Sequence, residues 1–286
     1  MKKLTGILLV LLGTHSLYAN VNAVVSILPQ KAFVEAIGGE KVDVTMMVQP
    51  GKSPHNYEPK ASQMTALEKA DVYFAVGVEF ENVWLPKFTH QNKKMIIANI
   101  DKGINKIEME EHHRKHHNEK KTHEIKQKDP HIWTSPMNVK IIAKNIYKHL
   151  VDIDEKNKHY YKLNYEKFLT HIQDTDQKIT QLLRDKNTKR KFMVFHPAWG
   201  YFARDYGLTQ ISIEVSGKSP KPQQVMRLII EAKKENVQAV FTAPEFSEKT
   251  ARIIAKEVGV PVVKISPLAF NWSKNLINLA KNIAQN

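Results

Sequence analysis

The chain has 286 residues, 42% of them hydrophobic and 25% charged, with a formal net charge of +14 and no cysteine. That length exceeds the usual single domain, so two lobes or one large α/β domain are expected, with apolar residues enough for a sizeable core. The missing cysteines exclude disulfides and thiolate metal sites, which leaves His, Asp, Glu and water as donors for any metal. Such positive charge would suggest nucleic acid inside a cell. Here the lysines are spread along the chain rather than gathered in one stripe with aromatics, so they read as a solvated surface with no nucleic-acid partner.

Lys2 and Lys3 precede an apolar run from Leu4 to Leu12, followed by polar residues and Ala19-Asn20. This is the pattern of a secretory signal peptide over residues 1–19, and the run is far short of the roughly 20 residues that span a bilayer. A lipid-anchored bacterial protein needs a cysteine at its cleavage point, so a soluble, periplasmic mature protein is expected.

From residue 21 short apolar runs alternate with helical patterns. Strands are predicted over Val21–Ile27, Val42–Val48, Val72–Val76 and Lys94–Asn99, with helices over Lys31–Ile37 and Ser62–Lys69. Such alternation implies a parallel sheet with helices on both faces. Residues 101–128 break the pattern. They carry Glu108, Glu110, Glu111, His112, His113, His116, His117 and His123 among many lysines, a composition expected to form a mobile loop rather than a core.

Asp129-Pro130-His131-Ile132-Trp133-Thr134-Ser135-Pro136 follows at once. Pro130 keeps Asp129 extended and presents His131 after a fixed bend, while Ser135 reads as an N-cap with Pro136 at the first helical position. A helix over Val139–Val151 is then followed by a longer helical pattern from Asp154 to about Asp185, whose apolar positions recur every three or four residues. At 1.5 Å per residue it would span roughly 48 Å, longer than one small lobe is wide. The alternation restarts with strands over Phe192–Phe195, Ile211–Val215, Val237–Thr242 and Val262–Ile265 and helices over Tyr201–Tyr206, Pro222–Asn236, Ser247–Val258 and Asn275–Ile283. The expected fold is therefore α/β: an N-terminal lobe over 20–136, linking helices over 137–189 and a C-terminal lobe over 190–286. The two parallel-sheet lobes are joined by a long rigid helix.

Ligands of open parallel sheets bind beyond the carboxyl ends of the strands. His55 leaves the second strand, His196 ends the first strand of the second lobe, and His131 lies beside the helix leading out of the first. Each adjoins a proline, as Pro54-His55, Pro130-His131 and His196-Pro197, which limits the backbone freedom lost on binding. A lone histidine of this kind is more often structural. Three in equivalent settings point to a shared ligand in the cleft between the lobes.

The motifs Pro50-Gly51…Pro54-His55…Glu58-Pro59, Asp129-Pro130-His131-Ile132-Trp133 and Phe195-His196…Trp199-Gly200-Tyr201-Phe202, in that order, resemble those of periplasmic metal-binding proteins of ABC importers. The acid- and histidine-rich insertion before His131 is similar to that of the zinc-uptake branch, the ZnuA type, and the likeness covers essentially the whole mature chain. The resemblance implies a metal held between the lobes by His55, His131 and His196. Manganese members carry a carboxylate in place of His196, and three imidazoles suit Zn2+ better than manganese. Many members have an aspartate where Ser266 stands, which leaves the fourth position to water, another small ligand, or Glu245 as an auxiliary donor. Glu245 also reads as an ordinary carboxylate at the N-terminus of the next helix. The loop histidines His112, His113, His116, His117 and His123 are expected to be a low-affinity zinc antenna or a dock for a periplasmic zinc chaperone. The implied partner is the membrane permease of an ABC transporter, and the implied state a monomer without enzyme activity. A zinc hydrolase is disfavoured because no His-Glu-x-x-His run occurs. A manganese or other divalent-metal binding protein, or a metal-dependent adhesin, on the same scaffold is the other competing reading.

Overall fold

The computed structural model describes residues 20–109, 128–185, 190–214 and 218–284. The signal segment and the five loop histidines lie outside the described residues. The β-branched runs form β1 (Val21–Val25), β2 (Val42–Met46), β3 (Val72–Ala75) and β4 (Ile96–Asn99) of a parallel sheet ordered β2-β1-β3-β4. α1 (Leu28–Gly38), α2 (Ala61–Glu68) and α3 (Glu79–Gln91) make the crossovers. The second lobe repeats the plan. β5 (Lys191–Val194), β6 (Thr209–Ser212), β7 (Val240–Thr242) and β8 (Val262–Lys264) pair in the order β6-β5-β7-β8, connected by α6 (Gly200–Asp205), α7 (Pro222–Lys234) and α8 (Lys249–Val258). The two sheets thus have the same strand order and are both parallel.

α4 (Pro136–Ile153) and α5 (Lys158–Leu182) lie between the lobes in sequence, and α9 (Trp272–Ala284) closes the chain. α4 starts as its local sequence dictates, with the Ser135 hydroxyl accepting from the Asn138 N–H at 3.1 Å. α5 has 25 residues, about 38 Å, and is shorter than its periodicity suggests. The difference lies at its start. Asp154 ends α4, a short 3-10 turn over Glu155–Asn157 intervenes, and the Asp154 carboxylate accepts from Tyr161 and Asn157, each at 2.6 Å. α5 packs on α1 and α4 of the first lobe and on α9 beside the second, so one helix braces both.

The strand period of two divides the core. Phe192 and Val194 of β5 join a central cluster that runs through the first lobe and α4, α5 and α9, whereas Met193 and Phe195 face a separate cluster beneath α7 and α8. The lobes are also tied directly. The Trp133 indole donates to the Pro267 carbonyl at 2.8 Å, and Trp272 returns a bond to the Trp133 carbonyl at 2.7 Å. Tyr201 donates to the Asp129 carbonyl at 2.7 Å.

Two elements differ from expectation in ways that bear on the site. α3 was not legible, because Pro86 inside it removes a backbone donor and interrupts the pattern. β6 covers residues 209–212 rather than 211–215: after Gly207 (φ +64) the chain re-enters the sheet at once, the Thr209 N–H donating to the Arg190 carbonyl at 2.7 Å. Glu214 consequently lies just beyond the strand end, its backbone N–H still donating to the Phe195 carbonyl at 3.0 Å.

Candidate metal centre

His131 is set by its neighbours in sequence. The Asp129 Oδ1 oxygen accepts from the His131 backbone N–H and from its ring Nδ1, both at 2.8 Å. The Thr134 hydroxyl donates to the His131 carbonyl at 2.9 Å, so the turn is closed on both sides before α4 begins. His196 follows β5 directly. Its Nδ1 donates to the Glu214 carboxylate at 2.8 Å, and its ring stacks on Phe246 with centroids 4.6 Å apart. His55 sits on the loop between β2 and α2, its Nδ1 3.2 Å from the carboxylate of Glu79, the first residue of α3.

The three rings converge. One ligand atom from each of His55, His131 and His196 lies within 4.8 Å of the others, and among the described residues this is the grouping of its kind. His131 and His196 come closest, with Nε2 atoms 3.2 Å apart. Ionised carboxylates only accept hydrogen bonds, so each Nδ1 carries the proton and each Nε2 presents a lone pair. Two lone pairs facing at that distance repel unless a cation lies between them. Nitrogens at 2.0–2.1 Å from a tetrahedral zinc are themselves about 3.3 Å apart, so the spacing fits a zinc-sized ion.

The electrostatics suit neutral imidazoles with anionic support. Burial holds the His196 imidazole below its ordinary range, against the opposing hydrogen bond to Glu214. The hydrogen bond to Glu79 raises His55, with burial opposing it. Burial pushes Glu79 upward, but the hydrogen bond and charge of His55 outweigh it and bring the carboxyl down to about 2. Glu79, Asp129 and Glu214 together supply local negative charge in a chain whose net charge of +14 would repel a cation. Such carboxylate–histidine pairs fix ring orientation and raise ligand basicity.

Glu245 stands outside the three-histidine group. Its Oε1 accepts from the Ser266 hydroxyl at 2.8 Å, and burial raises its carboxyl while that bond opposes the rise. The following helix begins only at Lys249, so Glu245 is engaged by Ser266 rather than by a helix N-terminus. Sequence reasoning missed Glu79 and Glu214 as ring partners and gave Asp129 no ring contact.

A family model described as ZnuA, zinc-uptake complex component A, periplasmic, matches residues 23–286. The chain belongs to the ZnuA family. The crystal structure of a ZnuA superposes with a TM-score of 0.84 at 40% identity, covering 93% of this chain and 98% of that one. The high-affinity zinc uptake system protein ZnuA of Bacillus subtilis (strain 168) is 30% identical over 256 residues, 86% of this chain and 78% of that protein. A mutant of the laminin-binding adhesin of Streptococcus agalactiae shares the scaffold at a TM-score of 0.78 and 25% identity, covering 92% of this chain and all of that one. The ZnuA family is thus one of metal-binding transport components, and its scaffold also serves adhesion.

The lobes meet closely behind His131. A Cβ added to Gly200 would lie 2.8 Å from the Asp129 Oδ2 oxygen and 3.1 Å from the Ile107 Cδ1 atom. Gly200→Ala is therefore expected to displace Asp129 and tilt the His131 ring, lowering zinc affinity about tenfold without removing a ligand. Competition with a chromophoric chelator measures this, and unchanged affinity would show that the Asp129 contact does not orient the ring.

Proposed function

We propose that the protein captures Zn2+ in the periplasm with His55, His131 and His196 and delivers it to the membrane permease of an ABC importer. The observation that carries this reading is the opposed His131 and His196 Nε2 pair, 3.2 Å apart, contributed by different lobes and each backed by a buried carboxylate. Membership of a zinc-uptake family supports the cargo and the compartment. All-nitrogen donors favour zinc over manganese, which prefers oxygen. Water or another small ligand completes the tetrahedron, with Glu245 in reserve should Ser266 release it. The signal segment would direct export, the histidine-rich loop would gather zinc or receive it from a chaperone, and the protein would act as a monomer without chemistry of its own. α5 and the Trp133–Trp272 contacts brace the lobes against wide opening, so loading and release are expected to use loop rearrangement.

The test is growth of a bacterium deprived of its own periplasmic zinc-binding component, with the permease matching this chain supplied, in chelator-treated medium. The intact chain should restore growth and the His131→Ala/His196→Ala double variant should not. Equal rescue by both, or tighter binding of Mn2+ than Zn2+ by the purified protein, would overturn the reading.

A further inference from the structure

The three ligand rings are held unequally. His131 and His196 have side chains 5% and 7% exposed, with carboxylate partners 1% and 7% exposed at 2.8 Å. Asp129 also holds the backbone N–H of its own ligand, so ring and carboxylate are one local unit. His55 and Glu79 are 33% and 26% exposed, sit 3.2 Å apart, and come from separate segments, a loop and the first turn of α3.

Those segments are themselves anchored differently. The turn from β3 into α3 is braced from inside the lobe: the buried Glu81 carboxylate accepts from the backbone N–H groups of Val76 at 3.0 Å and Gly77 at 2.7 Å, and from the Ser26 hydroxyl. Gly77 takes a left-handed conformation (φ +87) that lets the turn fold tightly over this carboxylate. Glu79 is thereby presented from a fixed point. The His55 loop is tied at its ends, where the Gln63 amide donates to the Met46 carbonyl at 2.9 Å and accepts from the Lys60 N–H at 2.9 Å. Between those ties Pro54 is buried and the Tyr57 hydroxyl donates to Gln63 at 2.9 Å, but His55 and most of the loop face solvent, and Gly51 has open space around it.

We propose that Glu79 is the positioning residue that sets how long the ion stays bound, by holding the exposed His55 ring in reach as the third donor. The proposal rests on the three-histidine reading of the site. Separation of His55 from Glu79 is the first step of release. It leaves the ion on the two buried imidazoles with coordination positions open to an incoming donor, and the exchange is a substitution of one ligand by another with no change of oxidation state. Glu81 acts one step further back, through the turn that aims Glu79.

Stopped-flow release of Zn2+ into excess chelator, for Glu79→Ala, Glu79→Gln and His55→Ala beside the intact protein, tests this. Glu79→Ala should speed release about 10- to 100-fold. The thermal midpoint of its metal-free form should stay unchanged, and its Co2+ visible spectrum should move toward that of His55→Ala. Glu79→Gln, whose amide oxygen still accepts from the ring N–H, should recover much of the lost residence time, which a general loss of folding would not allow. Unchanged release and an unchanged cobalt spectrum in both Glu79 variants would overturn the proposal. His131→Ala separates the two levels. If it abolishes tight binding while Glu79→Ala changes nothing, the Glu79 role alone falls; if it too changes nothing, the shared site falls with it.

Discussion

Replacing His131 or His196 by alanine is expected to weaken zinc binding by roughly 100- to 1,000-fold. Four-donor structural zinc sites are worth about 10–16 kcal/mol, so each donor supplies roughly 2.5–4 kcal/mol. Both rings are buried, and removing either takes the ring from a buried carboxylate: Asp129 keeps the backbone N–H of residue 131, whereas Glu214 loses its imidazole donor. An unpaired buried charge destabilises the metal-free fold as well. His55→Ala should cost less affinity, because that ring is exposed and water can take its place. Competition titrations with a zinc chelator, read beside the thermal midpoints of the metal-free proteins, give both effects. Equal and small losses at all three positions would contradict a common site.

Zinc affinity is expected to fall by roughly a thousandfold between pH 7.5 and pH 5. Each donor must be a neutral imidazole, with a reference pKa of about 6.5, so protons compete with the ion, and each titrating ring contributes up to about tenfold per pH unit below its pKa. The direction follows from the ring environments. The Glu79 hydrogen bond raises His55, so His55 loses its neutral form first as pH falls, beginning above its ordinary range. Burial lowers His196, which stays neutral to lower pH and contributes least to the loss. Binding at neutral pH should therefore release protons chiefly from His55. Titration calorimetry in buffers of different ionisation enthalpy counts them, and a pH-independent affinity over this range would exclude imidazole donors.

Much of this arrangement was legible locally. The bend at Pro130, the Ser135 cap and the Pro136 helix start are all written within eight residues, and the structure places His131 where they put it. The alternation of apolar runs and helical patterns likewise sufficed for two parallel sheets. What escaped was pairing between distant segments. Glu214 reads as a strand residue until the early start of β6 carries it past the strand end, where it meets His196. Glu79 was hidden with α3, whose Pro86 masked the helix that this carboxylate begins; an acidic residue in the first turn would have been the clue. Ser266 was noticed as an unusual residue, but its bond to Glu245 joins the exits of two different strands and has no sequence signature.

The shared strand order gives each half the same set of strand exits, and His55, His131 and His196 meet where exits from both halves come together. In one half the chain after β2 bears an imidazole, His55; in the other the chain after β6 bears the carboxylate behind an imidazole, Glu214. Chemical identity is thus decoupled from architecture. A lineage can retune which ion it favours by exchanging a side chain at a single tip, while both sheets of the scaffold are inherited untouched.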